Sequence, residues 1–474
     1  MEDILRSALA RGSGLGAKFL DIRLERGPST SVTAEDGNVK DLTRSTTFGA
    51  GVRALAGGSW GFAAVTLDER GAARALRGAV ERAVRLAKAN RRDRVKLAEE
   101  RAARADFEFP HRENSEEVPL DDRVELVKEA SRAAKEHPSV VRGLAFLATE
   151  DLERWYASSD GALVRQRRVF CGALAGAVAK RGPTVEFMHR TDGGFAGFER
   201  IRQWDLVEQG AEAARKAALF AGARAAPATR TRVVLDPEFV ALVVHEVMGH
   251  PSEADRVLGR ESAWAGRAWW ADKVGRHLFS PQVTVVSDAT LGGGHAGSYP
   301  FDDEGVPGKR VVHVERGVLK GFLHSRETAA LTGAEASGAM RATGYGFAPL
   351  IRMTNTFLEP GDWEADEIIR DTKSGIYLAG NKVPSVDALR YHFQISAWEA
   401  YEIRNGEIGR PLRGAILRAN TKEFFSSVDA AGRDFKMTQI IYPACGKGDP
   451  MQSMYVGNGG PTVRGEGMVV GPGR

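Results

Sequence analysis

The spacing of hydrophobic residues divides the chain into two regions. Up to about residue 227, segments with helical spacing alternate with segments in which every second residue is apolar, as in Leu20, Ile22 and Leu24. Turn signals such as Asp36-Gly37-Asn38 separate the strand-like segments, which indicates antiparallel meanders. Helices are predicted at residues 2–11, 68–90 with Asp68 as the cap, 120–136 and 206–222.

A helix followed by a meander occurs twice in this N-terminal part. We therefore predict an N-terminal α/β region, residues 1–227, with candidate modules at 1–110 and 111–227. From residue 228 to residue 474 the pattern changes to short β segments with many glycines. The sequence thus predicts an α+β fold, in which helix-plus-meander modules precede a β-rich C-terminal domain.

The strongest helix signal lies inside the C-terminal domain. Asp236 follows the apolar run Val233–Leu235 and precedes Pro237. An Asp at the N-cap accepts hydrogen bonds from free amides, and Pro suits the first helical position. A helix is predicted from Pro237 to His250, and because it is apolar on nearly every side it should be buried.

This apolar helix carries His245, Glu246 and His250. Two imidazoles and a carboxylate are costly to bury without a partner, and a divalent metal is the usual one. On a regular α-helix the two histidines would lie about 140° apart and could not share an ion. A π-type turn, or a helix that unwinds at its last turn, would bring the rings together, and Gly249 and Pro251 favour such a distortion. The alternative is a pair of ordinary core or surface histidines.

Composition and charge narrow the classes of function. The chain has 66 basic and 62 acidic residues, a net charge of +4 and no long basic run, so nucleic acid is not a favoured partner. Its two cysteines, Cys171 and Cys445, argue against a disulfide framework and favour a reducing compartment. We expect no signal peptide or membrane span, and a cytoplasmic protein.

A catalytic zinc generally takes three protein ligands. Chemistry favours Cys445 as the third, because Gly446 allows close approach to a metal and Lys447 would help the thiol to ionise. Spacing alone does not select this residue. The other candidates are His277, His295, His313, His324, His392, Glu253 and Asp255.

Two further polar segments invite interpretation. The loop 292–305, which contains Tyr299, is rich in glycine, but no Lys-Ser/Thr pair follows it and a nucleotide site is not favoured. The segment Arg352–Thr356 is predicted to be a polar strand. It would suit the binding of an extended partner, or it is an ordinary edge strand.

Several motifs of the second half resemble the TldD/PmbA family of metallopeptidases, and within it the catalytic TldD branch. They occupy residues 245–250, 299–307, 317–324, 352–356 and 445–447. The resemblance implies that His245, His250 and Cys445 bind zinc and that Glu246 is the catalytic carboxylate. It also implies a two-domain subunit that forms a homodimer, or a heterodimer with a PmbA/TldE-like partner that lacks the metal motif.

The predicted function is zinc-dependent hydrolysis of peptides or unfolded polypeptides, with Glu246 as general base. Tyr299, Arg352, Thr354 and Asn355 are predicted to hold the substrate, while Glu253 and Asp255 are predicted to support the metal ligands. One alternative is a non-catalytic zinc or binding module that modulates a DNA topoisomerase or a partner protein. Another is a cysteine hydrolase that uses Cys445 as nucleophile.

Overall fold

The structure is a computed structural model that describes residues 1–90, 94–261 and 267–471. The N-terminal helices are α1 (Glu2–Gly14), α2 (Ala72–Ala89), α3 (Leu120–Ala133), α4 (Glu199–Trp204) and α5 (Leu206–Ala221). The N-terminal strands are β1 (Phe19–Glu35), β2 (Asn38–Ala56), β3 (Ser59–Thr66), β4 (Arg104–Glu108), β5 (Val140–Ser158), β6 (Leu163–Arg181) and β7 (Thr184–Gly194).

All seven N-terminal strands belong to one sheet. Its order is β3-β2-β1-β5-β6-β4, and β7 pairs with β6 beside β4. The meanders β1-β2-β3 and β5-β6-β7 are antiparallel as predicted, and β1 joins them by pairing with β5. Strand β4 is the exception, because it runs parallel to β6.

The two faces of this sheet differ in chemistry. One face is apolar: Leu20 and Leu24 pack in a core with α1 and α2, and Val32 packs in a core with α3 and α5. The alternate residues Asp21, Arg23 and Glu25 of β1 are buried polar groups on the opposite face. We call this second surface the polar face. It lies against the C-terminal half, for example through the ion pair of Arg53 with Glu304.

The C-terminal half is built from short elements. Its helices are α6 (Pro237–Val244), α7 (Ala254–Val257), α8 (Arg326–Thr332), α9 (Ala365–Asp371) and α10 (Thr421–Ser426). Its strands are β8 (Arg224–Ala225), β9 (Thr229–Leu235), β10 (Val285–Asp288), β11 (Arg310–Glu315), β12 (Val318–Leu319), β13 (Met340–Arg341), β14 (Leu350–Ile351), β15 (Asn355–Leu358), β16 (Ser374–Val386), β17 (His392–Arg404), β18 (Glu407–Arg413), β19 (Ile416–Asn420), β20 (Ala430–Ala431), β21 (Lys436–Lys447), β22 (Gln452–Gly460) and β23 (Val463–Val470).

Helix α6 lies between two C-terminal sheets. One sheet has the order β12-β11-β10-β15-β22-β21. In the other, β16, β9, β23, β19 and β17 follow one another, and the pairing of β16 with β17 closes them into a ring. The helix contacts β15, β21 and β22 of the open sheet and β16 of the ring. The prediction of a β-rich C-terminal half around a buried helix is confirmed.

Two local predictions are wrong. Asp68 does not cap α2, because its carboxylate accepts hydrogen bonds from the amides of Arg70 and Gly71 and so closes a turn before the helix. The predicted polar strand at 352–356 begins only at Asn355, and β15 pairs with β10 on one side and β22 on the other. It is therefore a central strand, which offers no free backbone edge to a partner.

Among the described residues, no helix combines the length and the apolar character that a bilayer crossing requires.

Candidate metal centre

Helix α6 begins as its sequence predicts. The Asp236 carboxylate accepts a hydrogen bond from the Phe239 amide at 2.7 Å, and Pro237 occupies the first turn. The same carboxylate accepts from the Gly380 amide at 3.0 Å, which fixes the start of the helix against strand β16. The cap therefore sets the position of the helix as well as its first residue.

The end of α6 carries the predicted distortion. Residues His245–Gly249 form a π-helical turn, and a short 3₁₀ turn, His250–Ser252, follows it. The rings of His245 and His250 consequently lie with their centroids 4.9 Å apart. Gly249 serves a packing role there, since a Cβ at this position would lie 2.1 Å from the sulfur of Met353.

Cys445 reaches the two histidines from the opposite side. It lies on β21, where the pairing with β22 is interrupted between Ile440 and Cys445. Its Sγ is 3.4 Å from Nε2 of His250, and one ligand atom from each of His245, His250 and Cys445 lies within 4.8 Å of the others. All three residues are buried. We call them the ligand triad.

Burial sets the charge of the triad. It lowers the pKa of His245 to about 4 and the pKa of His250 well below its usual value, so both rings are neutral and keep a lone pair. Burial raises the pKa of the Cys445 thiol, but the contact with His250 and the charge of Arg352 act in the opposite direction, and the pKa falls below its usual value. Lys447, which the sequence suggests as a help to this ionisation, is not among the main causes of the shift, because its ammonium contacts carboxylates instead.

The triad fits a metal ion on two observations. Nδ1 of His245 is buried and has no hydrogen-bond partner among the described residues, which is costly unless the ring is otherwise engaged. Two imidazoles and a thiol form the donor set of a catalytic zinc site with three protein ligands. Among the described residues, no further His, Cys, Asp or Glu joins this group.

Lys447 instead neutralises two carboxylates behind the triad. Its buried ammonium lies 3.1 Å from Glu253 and 2.8 Å from Asp255, and it donates to the Ile351 carbonyl. Glu253 in turn lies 3.2 Å from Nδ1 of His250. A carboxylate on the far nitrogen of a metal-binding histidine fixes the ring and raises its basicity. Asp255 contacts Lys447, and within the described residues it makes no direct contact with the triad.

The triad opens onto a cavity of about 510 Å³ between the two halves of the chain. We call it the metal cavity. Glu246 lines it, and its carboxylate is held by the Arg390 guanidinium at 2.5 Å. Strand β7 of the N-terminal sheet supplies part of the opposite wall, including His189. Sequence reasoning missed Arg390 and this wall, because both are far from the helix in sequence.

The four residues predicted to hold substrate do not line the metal cavity. Tyr299 donates to the Gly338 carbonyl, and Asn355 donates to the Asp288 carbonyl and to Ser298. Arg352 is buried and donates to the carbonyls of Cys445 and Gln452, so it fixes the strand that carries the thiol. Thr354 is fully buried.

The other histidines considered as ligands lie outside the triad. His313 contacts Ser287 at 2.8 Å, His295 contacts Gln439 at 2.9 Å, and His324 contacts Thr328 at 3.3 Å. His277 and His392 lie in bridging and strand segments. None of the five joins the group in the part of the chain that the structure describes.

Three segments of the chain match the domains of one peptidase family. Residues 228–472 match the PmbA/TldA metallopeptidase C-terminal domain, residues 20–87 match domain 1 and residues 113–219 match the central domain. A metalloprotease of Methanocaldococcus jannaschii is 33% identical over 94% of this chain and 95% of its own length. The chain therefore belongs to the PmbA/TldD family of metallopeptidases.

Solved structures share the fold at lower identity. A protein of Thermotoga maritima, named as a candidate modulator of a DNA gyrase, is 18% identical with a TM-score of 0.78 over 99% of this chain and all of its own. TldE of Thermococcus kodakarensis is 20% identical with a TM-score of 0.76 over the same shares. At these identities the likeness concerns the fold alone.

Proposed function

We propose that the chain is a zinc-dependent metallopeptidase that hydrolyses peptides or unfolded polypeptides. The observation that carries the proposal is the ligand triad, whose donor atoms lie within 4.8 Å of one another beside a cavity that also holds Glu246. Three protein ligands leave a position for a reactant, which is the arrangement of catalytic zinc sites.

The donor set supports zinc. Two neutral imidazoles and a thiol whose pKa is lowered by its neighbours suit an ion of intermediate softness. A divalent metal bound by these residues would supply Lewis acidity, which favours the attack of water on a peptide carbonyl. The ligands for it are His245, His250 and Cys445.

Glu246 is the proposed general base and acid. Its carboxylate takes the proton of the water that attacks the scissile carbonyl and returns it to the leaving amine nitrogen. Glu246 follows His245 on the π turn and therefore points to a different side of the helix, into the cavity. Arg390 holds one carboxylate oxygen, which orients the side chain for this proton transfer.

The same geometry bears on substrates and partners. The ligand atoms are buried, which favours small or unfolded chains over folded proteins. Family membership supports a dimer, either of this chain with itself or with a PmbA/TldE-like subunit, and the fold shared with TldE is compatible with both. Two buried, unpaired cysteines support a cytoplasmic location.

The alternatives have less support. A purely structural zinc site generally has four protein ligands, and the group found among the described residues has three. A cysteine hydrolase is compatible with the 3.4 Å contact of Cys445 with His250. It would give no purpose to His245, whose buried Nδ1 has no partner in the described part of the chain.

The test is a peptide digest by the purified chain and its Glu246→Gln variant, with the metal content of both measured. We expect one zinc per active subunit in each protein and cleavage that a chelator stops and added zinc restores. The variant should cleave about 10²- to 10⁴-fold more slowly, as expected for loss of a general base. Unchanged cleavage by the variant removes Glu246 from the mechanism, and cleavage that survives metal removal favours the cysteine hydrolase.

A further inference from the structure

The charges on the polar face of the N-terminal sheet are almost all paired. Arg53 lies 2.5 Å from Asp21 and 3.1 Å from Glu304, and Arg154 lies 2.7 Å from Glu25. Arg341, from the C-terminal half, donates to three backbone carbonyls beside this face. Such pairing is what burial of charged groups requires.

Arg168 is the exception among the described arginines of this face. It lies on β6, directly across from Leu152 on β5, and within the described part of the chain its guanidinium makes neither a hydrogen bond nor an ion pair within 4.0 Å. Its guanidinium instead makes a cation–π contact with the ring of Phe195, whose centroid is 4.8 Å from the guanidinium carbon. A cation on an aromatic face is held in place, but its five N–H donors stay free.

Arg168 is half-buried, and its Nε is shielded from solvent without a hydrogen-bond partner among the described residues, which is costly. Burial lowers the pKa of Arg168 to about 10, and the charge of nearby Arg154 acts in the same direction. Glu150 and Glu25 are nearby carboxyls that oppose the shift, yet among the described residues neither forms an ion pair with Arg168. Burial also raises the pKa of Glu150, which weakens it as a counter-charge.

Arg168 and Glu150 line a second cavity of about 870 Å³, bounded by the polar face and by the loop 343–347. We call it the arginine cavity. Residues 441–444, which leave the β21–β22 ladder just before Cys445, line both this cavity and the metal cavity. The two cavities therefore lie on either side of one short segment that leads directly to a metal ligand.

We propose that Arg168 binds a carboxylate of the peptide substrate in the arginine cavity, so that this cavity is a subsite of the metallopeptidase. A carboxylate satisfies a guanidinium with two parallel hydrogen bonds, which is the pairing that Arg168 lacks. The carboxylate belongs either to the C-terminus of a peptide or to an acidic side chain. The inference rests on the proposed peptidase function, since that function makes a peptide the ligand.

The test measures binding without cleavage, in the full chain carrying Glu246→Gln. The probes are N-acetylated pentaalanine with a free C-terminus, the same peptide as its C-terminal amide, and an amidated peptide with one Asp. The free acid or the Asp peptide should bind about tenfold or more tightly than the neutral amide, as expected for a hydrogen bond to a charged group. Which of the two binds tightly identifies the source of the carboxylate.

When Arg168→Gln is added, the ratio of the affinity for the carboxylate peptide to the affinity for the neutral amide should fall to about one. The affinity for the neutral amide itself should change little. Arg168→Lys should keep a part of the preference, because lysine cannot form the two parallel bonds. If Arg168→Gln does not fold, Arg168→Lys decides, and a preference unchanged in that variant overturns the proposal. The matched control is Arg433→Gln, which removes an exposed arginine that is paired with Glu364.

Equal binding of all three probes, or a preference that survives Arg168→Gln, overturns the subsite. Either result leaves the peptidase proposal standing, because hydrolysis by the chain with an intact Glu246 is measured separately. Failure of that hydrolysis, in contrast, overturns the peptidase proposal whatever the probes show.

Discussion

Two regions of this chain contain buried polar groups, and they offset the desolvation cost of these groups in different ways. In the ion-pair cluster of Asp21, Arg53 and Glu304, each charged group faces an opposite charge, and the distances are 2.5 and 3.1 Å. In the ligand triad, two neutral imidazoles and a thiol converge on one point, and Nδ1 of His245 has no partner among the described residues. Both regions lie under 10% exposed, so solvent does not account for the difference.

The comparison distinguishes a polar group that stabilises the fold from one that awaits a ligand. Removing one member of a neutralised cluster leaves an uncompensated charge, which the folded state must bear. Removing one member of a convergent donor set deprives an ion of a ligand and leaves no charge behind. Substitutions in the ion-pair cluster should therefore change the free energy of unfolding, and substitutions in the ligand triad should change the metal content.

The largest effect is expected for Cys445→Ala. The variant should lose nearly all bound metal and, with it, measurable peptide hydrolysis, because two ligands remain where catalytic zinc takes three. Metal analysis of the purified protein, beside its unfolding midpoint measured without metal, is the check. Cys171→Ala is the matched control, since Cys171 is a buried core thiol on β6 and should leave metal content unchanged. Full metal content in Cys445→Ala would remove the thiol from the site.

The second effect is on stability. Arg53→Met should lower the free energy of unfolding by about 3–5 kcal/mol, the usual cost of breaking a buried ion pair, because Asp21 and Glu304 are left unpaired. The folded fraction should still bind one metal ion per chain. Denaturant unfolding measures the loss, with Arg433→Met at an exposed ion pair as the control. A variant as stable as the parent would show that the cluster does not stabilise the fold.

Arg390 shares a feature with each region. It forms a buried ion pair, as the cluster does, and its partner Glu246 lines the metal cavity beside the triad. Arg390→Ala should retain the metal and reduce kcat by about 10²-fold, the cost of a misplaced catalytic group, with a small change in KM. Added guanidinium should restore part of the rate, which a purely structural defect would not allow. A kcat equal to that of the parent would show that Glu246 needs no such orientation.

Local signals in the sequence predicted the metal helix well. The Asp236 cap and the spacing of His245 and His250 led to a π turn at the place where it occurs. The part of the site that depends on distant segments was not accessible in this way. Arg390 lies on the connection between β16 and β17, and its pairing with Glu246 leaves no local pattern.

The polar segment 352–356, which leads into β15, shows why a run of polar residues can be misinterpreted as a binding strand. Arg352 and Asn355 are polar because they bond buried carbonyls inside the protein, and no exposed strand is involved. Hydrogen-bonding residues read the same in a sequence whether their partners are internal or come from a substrate. Cys445 likewise has no local signature, and the family resemblance assigned it before the geometry placed it beside His250.

The smallest of these effects is expected at Glu253, which belongs to both kinds of region. It contacts Nδ1 of His250 and the Lys447 ammonium, while its Oε1 has no partner among the described residues. Glu253→Gln keeps the shape but removes the charge, so metal affinity should fall by about 10- to 100-fold, as is typical when the partner of a ligating histidine is altered.

Competition with a chelator of known affinity measures this change. Asp255→Asn is the matched control, because Asp255 contacts Lys447 without contacting His250, and its effect on metal affinity should be smaller. Equal losses in the two variants would mean that both carboxylates act only by neutralising Lys447. The hydrogen bond that Nδ1 of His250 donates to Glu253 would then contribute nothing separate to the metal site. The distinction between paired charges and converging ligands would not hold at this residue.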